Sequence, residues 1–171
     1  HMIQKCSYMR VLEVFFKEPT KVHFIREISR NIKLASTSVK KHLSEIQNEE
    51  LIKKKLQAPF EGYIANKEND QFIQYKQVYN LYSLIELKNN IIGNLGPNAI
   101  ILFGSYQKGE DREDSDIDIA IISHINQSFN LEKYEKMLQR KIHITLIKNL
   151  NDLEEGIKNN IKNGWVLYGK I

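Results

Sequence analysis

The sequence predicts an α/β (α+β) domain over residues 97–171 with a mixed sheet and flanking helices. It is preceded by a small helical module, residues 2–68, that ends in a β-hairpin, and by a linking helix over 69–96. Three observations predict this. Beyond residue 98, short apolar runs of strand type alternate with segments of helical period. Before residue 50, the apolar residues recur at helical spacing only. Between these parts, Leu51 to Leu56 and Phe60 to Ala65 read as two strands joined by a turn at Ala58-Pro59.

Length and composition set the outer bounds. The chain of 171 residues, 42% of them hydrophobic, can build two small cores. No apolar run approaches the roughly 20 residues that span a bilayer, and no signal-peptide pattern opens the chain, so a soluble protein away from the membrane is expected. His1 before Met2 reads as the remnant of an expression tag. Cys6 is the only cysteine, which excludes an intrachain disulfide, argues against a cysteine-based zinc site and fits a reducing cytoplasm. The net charge of +4 is unevenly spread. Residues 1–68 carry 13 Lys and Arg against 8 Asp and Glu, a net of +5, while the remainder nets −1. A basic N-terminal part suits a polyanionic partner.

In that part Tyr8, Met9, Leu12, Phe15 and Phe16 mark one face of a first helix ended by Pro19. Ile25, Ile28 and Ile32 mark a second helix. Val39, Leu43 and Ile46 mark a third, expected to be capped by one of Ser36, Thr37 or Ser38. Three helices followed by a hairpin form the winged helix-turn-helix plan. The segments Arg26-Glu27-Ile28, Ser36 to Leu43 and Leu51-Ile52 resemble the DNA-binding modules of transcription regulators of the MarR and ArsR kind. The resemblance implies that the third helix enters the major groove with Ser36, Thr37, Ser38, Lys40, Lys41 and His42 outward. Lys53, Lys54 and Lys55 of the hairpin would then reach adjacent phosphates or the minor groove. Such modules read paired half-sites, so a homodimer is expected.

Residues 70–92 carry dense apolar positions without a breaker before Gly93 and read as one long helix. Tyr75, Tyr79 and Tyr82 on it supply surface for the core or for a subunit contact. Gly96-Pro97 then hands over to the first strand of the α/β domain. Further on, Leu131, Tyr134 and Leu138 give a helix, Ile142 to Ile147 a strand, and Leu150, Leu153, Ile157 and Ile161 a second helix stopped by Gly164. Trp165 to Tyr168 closes the chain as an apolar segment packed on the sheet or on that helix.

The chemistry concentrates between Gly104 and Asp118. The stretch is entered from the apolar run Ala99 to Phe103 and left through Ile119 to Ile122. On a strand, Asp116 and Asp118 share one face while Ile117 and Ile119 take the other. Two carboxylates held together repel, and a divalent cation relieves the repulsion. Hard oxygens suit Mg²⁺ or Mn²⁺, and Mg²⁺ is commonly held by one or two carboxylates together with substrate phosphates. The Gly104-Ser105 turn after a strand adds backbone N–H groups and a hydroxyl suited to phosphate.

A lone D-x-D is an ordinary acidic loop, but here Gly104-Ser105, the ten residues Tyr106 to Ser115, and Asp116-Ile117-Asp118 stand in unbroken order. This arrangement resembles the signature of the nucleotidyltransferase superfamily that includes DNA polymerase beta, most closely its minimal branch. The resemblance implies a divalent metal and a nucleoside triphosphate, first of all ATP. Asp116 and Asp118 would hold the metal, and Gly104 and Ser105 the β- and γ-phosphates. It also implies transfer of a nucleoside monophosphate to a hydroxyl acceptor. Minimal nucleotidyltransferases paired with toxin partners resemble this arrangement and modify a protein acceptor.

The family normally supplies a third carboxylate from the next strand. Here that strand reads Lys141-Ile142-His143-Ile144-Thr145-Leu146-Ile147, and His143 stands at the corresponding position. An imidazole is a softer ligand, better suited to Mn²⁺ or Zn²⁺ than to Mg²⁺, and with an ordinary pKa near 6.5 it can also serve as a general base. Two readings therefore stay open: an active nucleotidyltransferase with Asp116, Asp118 and His143 as its catalytic set, coupled to a DNA-binding module, or a DNA-binding regulator whose degenerate nucleotidyltransferase domain senses a nucleotide or dimerises.

Overall fold

The computed structural model describes residues 6–125 and 130–170; positions 2–5 of the expected N-terminal domain and Ile171 lie outside the described residues. The chain divides into two compact units, one running to Lys76 and the other from Gln77.

The first unit contains helices α1 (Ser7–Lys17), α2 (Ile25–Asn31) and α3 (Ser36–Asn48), then the antiparallel hairpin of β1 (Ile52–Gln57) and β2 (Phe60–Ala65). Its core is the apolar stripes of these helices, with Val11, Leu12, Phe15, Phe16, Ile28, Val39, Leu43 and Ile46 all buried. Burying each such side chain contributes about 1.5–3 kcal/mol. His23 pairs with Tyr63 through two backbone hydrogen bonds of 2.8 and 2.9 Å, adding a short third rung to the hairpin. Gly62 is needed opposite it, because a Cβ there would lie 2.5 Å from Val22 Cγ1 and 2.9 Å from the His23 carbonyl. The cap of α3 differs from expectation: Ala35 is the N-cap and makes no side-chain cap bond. Ser36 is already helical, and its hydroxyl bonds Ser29 Oγ at 3.1 Å instead.

Residues 70–92, expected as one helix, form two: α4 (Asp70–Ser83) and α5 (Ile85–Leu95). The reason lies in the phase of burial. Phe72, Lys76, Asn80 and Leu84 are buried at successive i+4 steps, whereas Leu84, Leu87, Ile91 and Leu95 follow steps of three and four. The chain breaks step at Leu84 so that α5 can turn its apolar face into the second unit. Gly93 does not stop α5 either. The helix runs on to Leu95 and ends at Gly96, whose φ of 46° is left-handed.

The second unit is built on a four-stranded mixed sheet in the order β5-β4-β3-β6, made of β3 (Ala99–Phe103), β4 (Ile117–Ile122), β5 (Ile142–Ile147) and β6 (Trp165–Gly169). β4 and β5 run parallel, and the other pairs are antiparallel. Period-two alternation gives the sheet two different faces. Ile100 and Leu102 of β3, Ile117, Ile119 and Ile121 of β4, and Ile142 of β5 join Leu87, Ile91 and Leu95 of α5 and Tyr134 of α7 (Glu132–Leu138) in the larger core. On the opposite face Ala99, Ile101 and Ala120 pack with Ile161 of α8 (Glu155–Lys162). That second face is also the one on which Asp118 and His143 stand.

Two further differences concern the C-terminal part. The helix expected from Leu150 is a single 3-10 turn, Leu150–Asp152, followed by extended backbone at Leu153 and Glu154 before α8. Asn149 accepts a hydrogen bond from Asn151 N at 2.9 Å and so closes the short turn. Trp165–Gly169, expected to pack on the sheet or on the preceding helix, joins the sheet as the edge strand beside β3. Gly164 allows this, because a Cβ there would sit 2.5 Å from the Leu102 carbonyl oxygen.

Candidate active site

The apolar residues of β3 bury that strand and carry the chain to Phe103, which pairs with Asp118 across the β3–β4 ladder. At Gly104 the backbone turns through a left-handed φ of 77° into the one-turn helix α6 (Gly104–Lys108). A Cβ on Gly104 would lie 2.4 Å from Asp118 Oδ2. Glycine is therefore required twice, by the backbone conformation and by the carboxylate resting against it. Gly104 and Asp118 are thus brought together.

Asp116 is exposed and stands just before β4, one alternation from Asp118, with Ile117 and Ile119 turned into the larger core. In the parallel β4–β5 ladder Asp118 pairs with His143 and Ala120 with Thr145, so the half-buried carboxylate and the exposed imidazole share one sheet face. Burial pushes the Asp118 carboxyl above its ordinary pKa; His143 opposes the rise and Asp116 adds to it. A cation placed there offsets the same repulsion. The donor set fits a hard divalent ion held by two carboxylates and completed by phosphate oxygens. Among the described residues, no three His, Cys, Asp or Glu side chains are grouped to hold a metal by themselves. Beside Asp116 a groove opens along the loop Glu113–Asp116, Glu135 of α7 and Gln139 just beyond that helix.

Three residues with no expected role organise this site. Asn80 of α4 donates to the Tyr106 carbonyl at 2.8 Å and to Asp111 Oδ1 at 2.9 Å. Arg140, two residues before β5, forms a buried ion pair with Asp111 at 3.4 Å and donates to the Glu113 carbonyl at 2.6 Å. The Tyr106 hydroxyl lies 2.9 Å from Ser83 Oγ, and burial pushes its pKa up to about 12. A buried Asn in phase with Phe72 and Leu84 is the trace these contacts leave in the sequence, but at Asn80 a polar residue hides the stripe.

In the first unit, Ser36, Thr37, Lys40 and Lys41 of α3 are exposed and Ser38 is half-buried. His42 is not turned outward. Its ring lies edge-on to Tyr8 with centroids 6.0 Å apart, Nε2 is 2.8 Å from Ser7 Oγ, and Nδ1 is 2.8 Å from Glu45. One helical turn separates His42 from Glu45, and the i+3 carboxylate together with α1 draws the ring inward. Lys53, Lys54 and Lys55 are exposed on β1, the first two paired with Glu68 and Glu61. Exposed pairs of this kind contribute little to stability and leave the lysines open to other anions.

Among the described residues, no helix is long and apolar enough to cross a membrane. No curated protein matches the chain. The family described as Polymerase beta, Nucleotidyltransferase matches residues 85–170, half of the chain, covering the Gly104 turn, Asp116, Asp118 and His143. With the mixed sheet and the two aspartates at the start of β4, the chain belongs to the polymerase beta nucleotidyltransferase family.

Proposed function

We propose that this protein transfers a nucleoside monophosphate from a nucleoside triphosphate, ATP first among them, to a hydroxyl on an acceptor, with a protein side chain as the first candidate. The observation that carries this reading is the Asp118 carboxylate seated on the Gly104 α-carbon, with Asp116 one alternation away. Asp116 and Asp118 would bind Mg²⁺ or Mn²⁺; when bound, the ion supplies charge that offsets the negative charge developing on the phosphoryl oxygens. Gly104 and Ser105 would hold the β- and γ-phosphates through backbone N–H and hydroxyl. The acceptor oxygen forms a bond to the α-phosphorus, the α–β bridging bond breaks, and pyrophosphate leaves with that electron pair. His143, beside Asp118 and exposed, would take the acceptor's proton.

The three helices and hairpin of the first unit would act as a winged helix. DNA phosphates and base edges would meet Ser36, Thr37, Ser38, Lys40 and Lys41, and the hairpin lysines would flank them, in a homodimer located in the cytoplasm. His42 would then serve as a brace between α3 and α1 rather than as a reader.

A second reading follows from His143 standing where a third carboxylate is expected: a DNA-binding regulator whose nucleotidyltransferase domain binds nucleotide without turnover. Incubation with labelled triphosphates and either metal separates the two. Label incorporated into the protein or a lysate partner, and lost in Asp116→Ala, supports the enzyme. No incorporation and no pyrophosphate release with Mg²⁺ or Mn²⁺, alongside salt-dependent binding to its own upstream DNA, supports the regulator.

A further inference from the structure

Asp111, Arg140 and Asn80 are buried polar residues of the second unit that the chemistry above leaves without a role. Asp111 is 1% exposed, and so is Asn80. A carboxylate and a guanidinium this deep are costly to desolvate, and apolar residues of similar volume are often equally stabilising. What such a pair supplies beyond an apolar core is defined geometry, because its donors and acceptors have fixed directions. Here those directions tie four segments together. Asn80 on α4 holds both the Tyr106 carbonyl of α6 and the Asp111 carboxylate in the loop that follows. Arg140 takes the other oxygen of Asp111 and, with its second terminal nitrogen, the Glu113 carbonyl. Arg112 N donates to Ser115 Oγ at 2.9 Å, closing the rest of the loop. Asp116 follows Glu113 by three residues, and His143 follows Arg140 by three. One guanidinium therefore holds both the loop that delivers the aspartates and the strand that delivers the imidazole.

We propose that Asp111 and Arg140, with Asn80 behind them, are positioning residues that fix Asp116 and Asp118 relative to the Gly104 turn and to His143. This rests on the metal and nucleotide site proposed above. The full chain is titrated by calorimetry with the Mn²⁺ complex of α,β-methylene-ATP, and each variant is unfolded in urea in parallel. Arg140→Lys keeps the charge, but one ammonium cannot hold Asp111 and the Glu113 carbonyl in the same forked geometry. Its expected loss of affinity is on the order of tenfold, as for partners that orient metal ligands. Asn80→Ala leaves the ion pair intact and is expected to weaken binding by a smaller factor. A purely structural role would move the unfolding midpoint and leave the affinity of the folded protein unchanged.

Wild-type binding that is lost in Asp116→Ala but unchanged in folded Arg140→Lys and Asn80→Ala overturns this inference alone. Absence of binding by the wild type overturns the site itself and this inference with it. If Arg140→Lys does not fold, Asn80→Ala decides: reduced affinity supports the positioning role, and wild-type affinity refutes it.

Discussion

Replacing Gly104 by alanine perturbs the site at its narrowest point. The new Cβ would stand 2.4 Å from Asp118 Oδ2 and 3.3 Å from its Cγ, so the whole carboxylate has to move and not only its tip. The backbone at φ 77° adds strain for any side chain. Left-handed backbone costs a non-glycine residue about 1–2 kcal/mol, and a forced conformation at a packed site up to about 3 kcal/mol. Gly104→Ala is therefore expected to lose about 1–3 kcal/mol in urea unfolding. It should also weaken binding of the Mn²⁺ complex of α,β-methylene-ATP by tenfold or more, because the displaced oxygen belongs to one of the two carboxylates proposed to hold the metal. Gly93→Ala is the control. It lies inside α5 with nothing within 4 Å of the new Cβ, and removing a helical glycine is expected to stabilise by about 0.5–1 kcal/mol without touching affinity. A Gly104→Ala protein as stable as the wild type and binding the nucleotide complex equally well would refute the packing argument.

Two other outcomes are expected. Asp118 has its folded-state pKa raised by burial, so the native state holds its proton more tightly than the unfolded chain; the resulting stability is full below the ordinary carboxylate range and is lost as pH rises through the raised value. Asp118→Asn should accordingly raise the thermal midpoint at pH 7 without metal, with the gain vanishing at acid pH; equal midpoints at both pH values would contradict the burial argument. His143→Asp places a carboxylate beside Asp118 in the β4–β5 register and is expected to raise Mg²⁺ affinity relative to Mn²⁺ in calorimetric titrations with the nucleotide analogue. An unchanged preference would mean that position 143 does not reach the ion.

The elements that carry the site were legible because their signals are local. Ile117, Ile119 and Ile121 alternate with Asp116, Asp118 and Ala120, and the observed sheet buries the first set in the larger core and leaves Asp118 on the other face. The facing of Asp118 and His143 follows from the same alternation once β4 and β5 pair in parallel, though the pairing itself is not written in either strand. The single long helix failed where the period changed at Leu84, since Lys76 and Asn80 are polar residues on a buried stripe. The outward lysines Lys40 and Lys41 give no sign that the adjacent His42 is held inward by Ser7, Tyr8 and Glu45.

Local chemistry alone, then, specified the strand-turn-strand unit, the glycine at its turn and the paired carboxylates, because each depends on residues only a few positions apart. The seat of Asp118 against Gly104, the edge pairing of β6, and the Asn80–Asp111–Arg140 cluster depend on segments brought together from 14 to 70 residues away. Contacts of that range are selected by burial and by the directions of buried hydrogen bonds, and those exist only once the chain has folded.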